Sequence, residues 1–174
     1  MKLVLLDVQT LGDDIDFSMF EKFGSVDVYK STKPEQVHER IKDADVIILN
    51  KVKINESNLA GTSVKVVCVT ATGYDNIDTV YCKENGIAVC NVQGYSTDSV
   101  AQVTVALALS LYTRLKEYDK FVCNGQYSES DNPLGTKPVF YETAGKTWGI
   151  VGMGNIGKKV AEVAKALGVS VPSA

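Results

Sequence analysis

"VKVVCVTATGYDNIDTVYCKENGIAVC", residues 64 to 90, reads as a strand, a loop, a helix and a second strand. The runs "VKVVCV" (64–69) and "IAVC" (87–90) are apolar without alternation, the pattern of strands covered on both faces of a parallel sheet. Between them "NIDTVYCKEN" (76–85) is helix-like, and Gly86 stands where a helix takes a left-handed residue before the chain returns to the sheet.

The same unit repeats toward the N-terminus. "KLVLLD" (2–7), "VDVY" (26–29) and "DVIILN" (45–50) are further continuous apolar runs, separated by the helix-like "DIDFSMFEKF" (14–23), "KPEQVHERIK" (33–42) and "NESNLA" (55–60). Gly24 and Gly61 repeat the helix-ending position of Gly86. Strict alternation of strand and helix predicts right-handed crossovers and an α/β fold, a flavodoxin-like doubly wound parallel sheet over residues 1–94. Ligands of such sheets bind beyond the carboxyl ends of the strands, here Asp7 to Gln9, Asn50 to Val52 and Thr70 to Asn76.

Toward the C-terminus, Ser96, Thr97 and Asp98 offer a helix cap, followed by "VAQVTVALALSLYTRLKEYDKFV". Apolar residues at 100, 103, 107, 111 and 115 keep helical spacing, and Val105, Ala106 and Leu109 add a second apolar side. One long helix over 95–122, buried on most sides as a bridge between two lobes, is expected. Residues 123–144 collect glycine, proline, serine and asparagine and read as a connecting loop.

The segment 145–174 opens with the strand-like "TWGIV", continues through Gly152, Gly154 and Gly157 in G-x-G-x-x-G spacing, and enters the helix "NIGKKVAEVAKAL". Each glycine has a task in a dinucleotide site. Gly152 makes the tight turn, Gly154 lets a pyrophosphate approach, Gly157 lets helix and strand pack, and the helix N-terminus stabilises the phosphate charge. The first β-α unit of a Rossmann domain is predicted, with NAD as its ligand. The acidic residue that follows about 20 positions later in such sites has no counterpart before Ala174, so weak NAD binding is expected.

Composition narrows the function classes. With 174 residues, 45% of them hydrophobic, the chain has ample material for packed cores. A net charge of -3 and a pI near 5.2 exclude a nucleic-acid surface and favour a small-molecule partner. The longest apolar stretch, Val100 to Tyr112, is too short for a bilayer and is interrupted by polar residues, so no membrane partner and a cytoplasmic location are expected. Cys68, Cys82, Cys90 and Cys123 form no C-x-x-C pair, and two of them fall in strands read as buried, so neither metal nor disulfide is expected. His38, the only histidine, lies in a polar helical run and reads as a solvated residue.

The stretches "ILNKVKINESNL" (48–59), "VTATGYDNIDTVYCKENGIAVCNVQGYSTDSVAQ" (69–102) and "ETAGKTWGIVGMGNIGKKVAEVAKALG" (142–168) resemble the NAD-dependent D-isomer-specific 2-hydroxyacid dehydrogenases, in particular the glycerate dehydrogenase (hydroxypyruvate reductase) type. The resemblance implies hydride transfer between NAD(H) and a small 2-oxo or 2-hydroxy acid, and a homodimer for the full-length family. It makes 1–94 the substrate-binding lobe, 95–122 the bridging helix, 123–144 the connecting loop and 145–174 an incomplete NAD-binding domain. It implies that Thr72, Gly73 and Tyr74 face the substrate carboxylate, with Asn50 and Lys51 at the neighbouring strand end. On the cofactor side it implies Thr104, Gly152, Gly154, Asn155, Ile156 and Gly157. Gln93 stands where the family usually has proline, and Val103 where glycerate dehydrogenases often have histidine.

The family's catalytic arginine, acidic residue and histidine have no match here, so no catalytic residue is assigned. The chain is expected to be a truncated, inactive copy. A non-catalytic small-acid or NAD binding module is the alternative. A phosphoacceptor receiver would share the five-stranded layout with Asp7, Asp13 and Asp14 at the first loop, but it needs an aspartate at the end of the third strand, where Asn50 and Lys51 stand.

Overall fold

In the computed structural model, which describes residues 1–131 and 138–172, each of the five apolar runs forms a strand: β1 Lys2–Leu5, β2 Ser25–Val28, β3 Val46–Leu49, β4 Val66–Val69 and β5 Ala88–Asn91. All neighbours pair in parallel, in the order β2-β1-β3-β4-β5. Central β1 and β3 bury three of four residues, while the edge strands β2 and β5 bury none fully. The chain divides into two units, Met1–Gln93 and Gly94–Ala174.

Within the first unit the sheet separates two apolar layers. Val4, Leu6, Ile47, Leu49, Val67 and Val69 face α1 (Val37–Ile41), α2 (Glu56–Leu59) and α3 (Thr79–Glu84), which contribute Val37, Ile41, Leu59 and Cys82. Leu3, Leu5 and Ile48 face Phe17 and Phe20 of a 3-10 helix, Phe17–Phe23. The reversal after β2 puts that first connection on one face and the next three on the other, which is what doubly wound means in this chain. Gly61 and Gly86 are left-handed at φ 75° and 69°. Gly24 differs: its φ of 148° and ψ of -158° do not make a left-handed cap, and a Cβ there would lie 1.8 Å from the Met1 carbonyl oxygen. Glycine is required at 24 because two backbone segments touch.

Asp45 fastens the start of the sheet. Its carboxylate accepts the Lys2 backbone N–H at 2.8 Å and pairs with Lys65 at 3.0 Å. The Lys2 N–H first, and Lys65 second, hold its carboxyl below the ordinary carboxylate value. A lowered folded-state value stabilises above the unfolded value of about 3.9 and is lost as pH falls through the folded value. Asp45→Asn should therefore remove part of the acid-unfolding slope below about pH 3.9 and leave the neutral side of the profile flat. Urea midpoints measured across that range would expose an unchanged acid limb if Asp45 has no such role.

In the second unit, α4 (Thr97–Thr113) and α5 (Leu115–Cys123) replace the expected single helix, followed by α6 (Gln126–Glu129) and α7 (Asn155–Ala166). The break is at Arg114, left-handed at φ 52°. Tertiary bonds favour it: Tyr141 donates its backbone N–H to the Tyr112 carbonyl at 3.0 Å, and Arg114 donates to the Val139 carbonyl at 3.3 Å. The 123–144 loop thus contains the end of α5 and all of α6, and residues 132–137 lie outside the described residues. Ser96 caps α4 without a side-chain bond.

The expectation that this helix is buried on most sides fails. Only Ala101 and Val105 of α4 are buried, against Val160 of α7, while Val103, Leu107 and Leu111 are 55%, 62% and 79% exposed. The small Ala101 lets α7 approach one face, and the row 100, 103, 107, 111 lies on another. "TWGIV" forms no strand beyond an isolated parallel bridge of Thr147 to Ser170, because a strand needs a ladder of neighbours. Among the described residues no helix is long and apolar enough to cross a membrane.

Candidate functional site

The carboxyl end of the sheet is organised by one buried aspartate. Asp7, 6% exposed, accepts the backbone N–H groups of Asn50 at 2.8 Å, Lys51 at 2.6 Å and Val52 at 3.2 Å. It closes the point between β1 and β3 where the winding reverses, the place where doubly wound sheets otherwise take a ligand. Backbone donors that could have gripped an anion there are held by the protein's own carboxylate. The end of β3, where a receiver needs its acceptor aspartate, carries Asn50 and Lys51, which removes the receiver reading.

Asn76 joins this end to the next loop. Its Nδ2 donates to the Val52 carbonyl at 2.8 Å and the Asn50 carbonyl at 3.2 Å. On the far side of the loop, Asn91 Nδ2 donates to the Thr72 carbonyl at 2.8 Å, and Thr72 Oγ1 donates to the Val92 carbonyl at 2.9 Å. The loop 70–76 is thereby tied at both ends. Among the described residues the backbone N–H groups of Thr72, Gly73 and Tyr74 donate to no protein acceptor. Three successive donors on a braced loop are thus open to an acceptor from outside the protein.

Tyr74 lines a cavity of about 300 Å³ with Thr79, Val89, Asn91 and Gln93. Lys51 does not reach it. The lysine lines a separate cavity of about 600 Å³, together with His38, Lys53 and Asn58. Asn50 keeps a buried Oδ1 with no donor. His38 is exposed, with Nδ1 3.2 Å from the Asn58 carbonyl.

In the second unit Gly152, Ile156 and Gly157 line a cavity of about 670 Å³ with Thr104, Tyr112 and Trp148. Gly152 turns at φ 96°. Gly154 is the N-cap of α7, no side chain caps it, and a Cβ there would meet nothing within 4 Å. The first N–H groups of α7, from Asn155 on, have no acceptor inside the helix. Gly157 is the opposite case: its Cβ would lie 2.0 Å from the Gly152 carbonyl oxygen. Thr104 lines the cavity, but its Oγ1 donates at 2.7 Å to the Val100 carbonyl one turn back. The geometry is that of an open anion cradle at a helix N-terminus.

Sequence reasoning missed Asp7, Asn76 and Asn91 as positioning residues. For Asp7 and Asn91 the available signal was a polar residue with a short side chain closing an apolar run, next to a loop that needs its backbone groups satisfied.

A family model described as D-isomer specific 2-hydroxyacid dehydrogenase, catalytic domain, matches residues 4–169. The chain is similar to a hydroxypyruvate reductase of Blautia hydrogenotrophica, 34% identical over 176 residues that cover 98% of this chain and 55% of the relative. It is similar also to a glycerate dehydrogenase of Methylorubrum extorquens, 32% identical over 173 residues, 98% and 54% of the two chains. Among solved structures, D-lactate dehydrogenase from Aquifex aeolicus complexed with NAD and lactic acid superposes with a TM-score of 0.77 at 27% identity, covering 98% of this chain and 50% of that one. The chain spans about half the length of the curated relatives it matches.

Proposed function

This chain belongs to the D-isomer specific 2-hydroxyacid dehydrogenase family, and from that premise we propose that it binds the two reactants of an NAD-dependent dehydrogenase of small 2-hydroxy acids, such as glycerate with its oxo form hydroxypyruvate. Residues 1–94 take the acid, and 145–174 take the cofactor. The observation that carries the reading is the row of free N–H groups at Thr72, Gly73 and Tyr74, which suits a carboxylate.

The donor-free Oδ1 of Asn50 supports a hydroxyl-bearing substrate at the adjoining strand end. Lys51 adds positive charge on that side without touching the Tyr74 cavity. The residues of the second unit fit a dinucleotide pyrophosphate: Gly154 leaves room for it, and the N–H groups of Asn155, Ile156 and Gly157 are donors. NAD, when bound, supplies or accepts the hydride. Thr104 lines the same cavity with its hydroxyl engaged by the Val100 carbonyl. The setting we assign is cytoplasmic, with a small acid and a second copy as partners in the full-length form, and neither nucleic acid nor membrane.

One observation favours a binding module without turnover: His38, the only histidine, is exposed and lines a cavity apart from Tyr74, so no imidazole is placed to exchange the substrate proton. A single titration tests both readings. Trp148 is the only tryptophan and lines the glycine cavity, so NADH should quench it saturably, with a dissociation constant on the order of 1 mM. Gly154→Leu should weaken that binding at least tenfold. Hydroxypyruvate added next should shift the Thr72–Tyr74 amide resonances without oxidising NADH. Unquenched Trp148, or equal binding by Gly154→Leu, removes the cofactor assignment, and NADH oxidation removes the module reading.

A further inference from the structure

β4 and β5 pair in parallel with Cys68 directly opposite Cys90. Register partners on adjacent strands project to the same face, with the strands about 4.7–4.9 Å apart. A disulfide needs Cα atoms about 4.4–6.8 Å apart, so the pair already lies within bridging range. The alternate residues of β4 and β5, Val67 and Val89, face the opposite apolar layer. Cys68 packs at the margin of the Leu3, Leu5 and Ile48 layer and is half-buried, whereas Cys90 is exposed on the edge strand. This corrects the expectation that both thiols are enclosed, because an edge strand has a neighbour on one side only. Burial first, and the neighbouring Cys90 second, raise the Cys68 thiol above its ordinary value. Cys82 is buried in the opposite layer.

We propose that Cys68 and Cys90 are a peroxide-oxidisable dithiol, a disulfide site that staples β4 to β5. The Cys90 thiolate attacks one oxygen of hydrogen peroxide. An S–O bond forms, the O–O bond breaks, and the departing hydroxide takes a proton to become water, leaving Cys90 as a sulfenic acid. The Cys68 thiolate then attacks the Cys90 sulfur. The S–S bond forms, the S–O bond breaks, and a second hydroxide leaves and is protonated. The two thiols together lose two electrons and two protons, and peroxide is reduced to two waters. Exposure makes Cys90 the first to react, and the strand register places Cys68 beside it to resolve the sulfenic acid. The staple ends one residue before Asn91, whose Nδ2 holds the Thr72 carbonyl at 2.8 Å, so oxidation stiffens the support of the 70–76 loop.

The test treats reduced chain with equimolar hydrogen peroxide, blocks remaining thiols with N-ethylmaleimide and maps non-reduced tryptic peptides. Trypsin cuts after Lys65, Lys83 and Arg114, so the expected product is peptide 66–83 linked to 84–114. Fragmentation should place the link at Cys68, since Cys82 shares that peptide. The link should stay within one chain at every protein concentration, and dithiothreitol should reverse it. Cys68→Ser should leave Cys90 as a sulfenic acid that dimedone captures, and Cys90→Ser should abolish the link. In urea, closure should shift to the shorter loop between Cys82 and Cys90. The proposal is overturned if native chain links Cys82 to Cys90, if linking occurs only between chains, or if Cys90 accumulates as sulfenic or sulfinic acid while Cys68 stays alkylated.

Discussion

Asp7→Ala should lower the stability of the first unit by at least about 3 kcal/mol, because it strands the N–H groups of Asn50, Lys51 and Val52 together. Leaving a buried donor without an acceptor costs roughly 1–3 kcal/mol, and the partial exposure of this turn keeps each near the lower end. For a unit of this size such a loss lowers the midpoint of thermal unfolding by about 12 °C or more. Asp7→Asn should fare little better: it keeps one acceptor oxygen but turns an NH2 group toward N–H donors. Thermal unfolding and urea titration of both variants measure the effect, and hydrogen exchange at 50–52 localises it. A loss under about 1 kcal/mol for the alanine variant would show that water replaces the carboxylate and that Asp7 does not organise the strand ends.

Gly157→Ala should destabilise the second unit by about 2–3 kcal/mol, against the direction that helix propensity dictates. Alanine is the better helix former by about 1 kcal/mol, and at an open position the exchange would stabilise α7. Here the new methyl would stand 2.0 Å from the Gly152 carbonyl oxygen and 3.1 Å from its carbon, both backbone atoms of a turn that cannot rotate away. Either α7 withdraws from the turn or the turn opens, and both uncover the Val160 contact with Ala101 and Val105. Trp148 packs against that cluster, so its emission should shift to the red along with the loss of helix signal. Gly154→Ala serves as the contrast, since its Cβ meets nothing, and should be close to neutral for folding. A more stable Gly157→Ala would mean that the close approach at the turn is absent in solution.

The sheet was legible because its signal is local: continuous apolar runs separated by helix-length polar segments specify parallel strands wherever they occur. The loop at Thr72 to Tyr74 entered through the resemblance to the family, and the loop at Gly152 to Gly157 through its own G-x-G-x-x-G spacing. What sequence did not disclose depends on partners remote in the chain. Asp7 acts through residues 43 to 45 positions away, and a polar residue that closes an apolar run does not disclose which distant N–H groups it will accept. The break at Arg114 comes from groups on 138–141, with no glycine or proline to announce it. The exposure of Leu107 and Leu111 was misread because helical spacing reports an apolar stripe, not whether another element covers it. Lys51 and Tyr74 end neighbouring segments yet line different cavities, a matter of side-chain direction that strand order does not determine.

The parallel order β2-β1-β3-β4-β5 governs how the first unit comes into being. With no hairpin anywhere in the sheet, every pairing must wait for a crossover to close, and the search for distant contacts sets the folding rate. β1 precedes the other strands of this sheet in the chain but sits inside the sheet, so one of its edges stays open until β3 has been made. The carboxylate of Asp7 remains in water over the same interval, its three donors being among the residues that immediately follow β3. The nascent chain therefore passes through a period in which an interior strand has one unpaired side, the interval when capture by another growing chain or by a chaperone competes with folding.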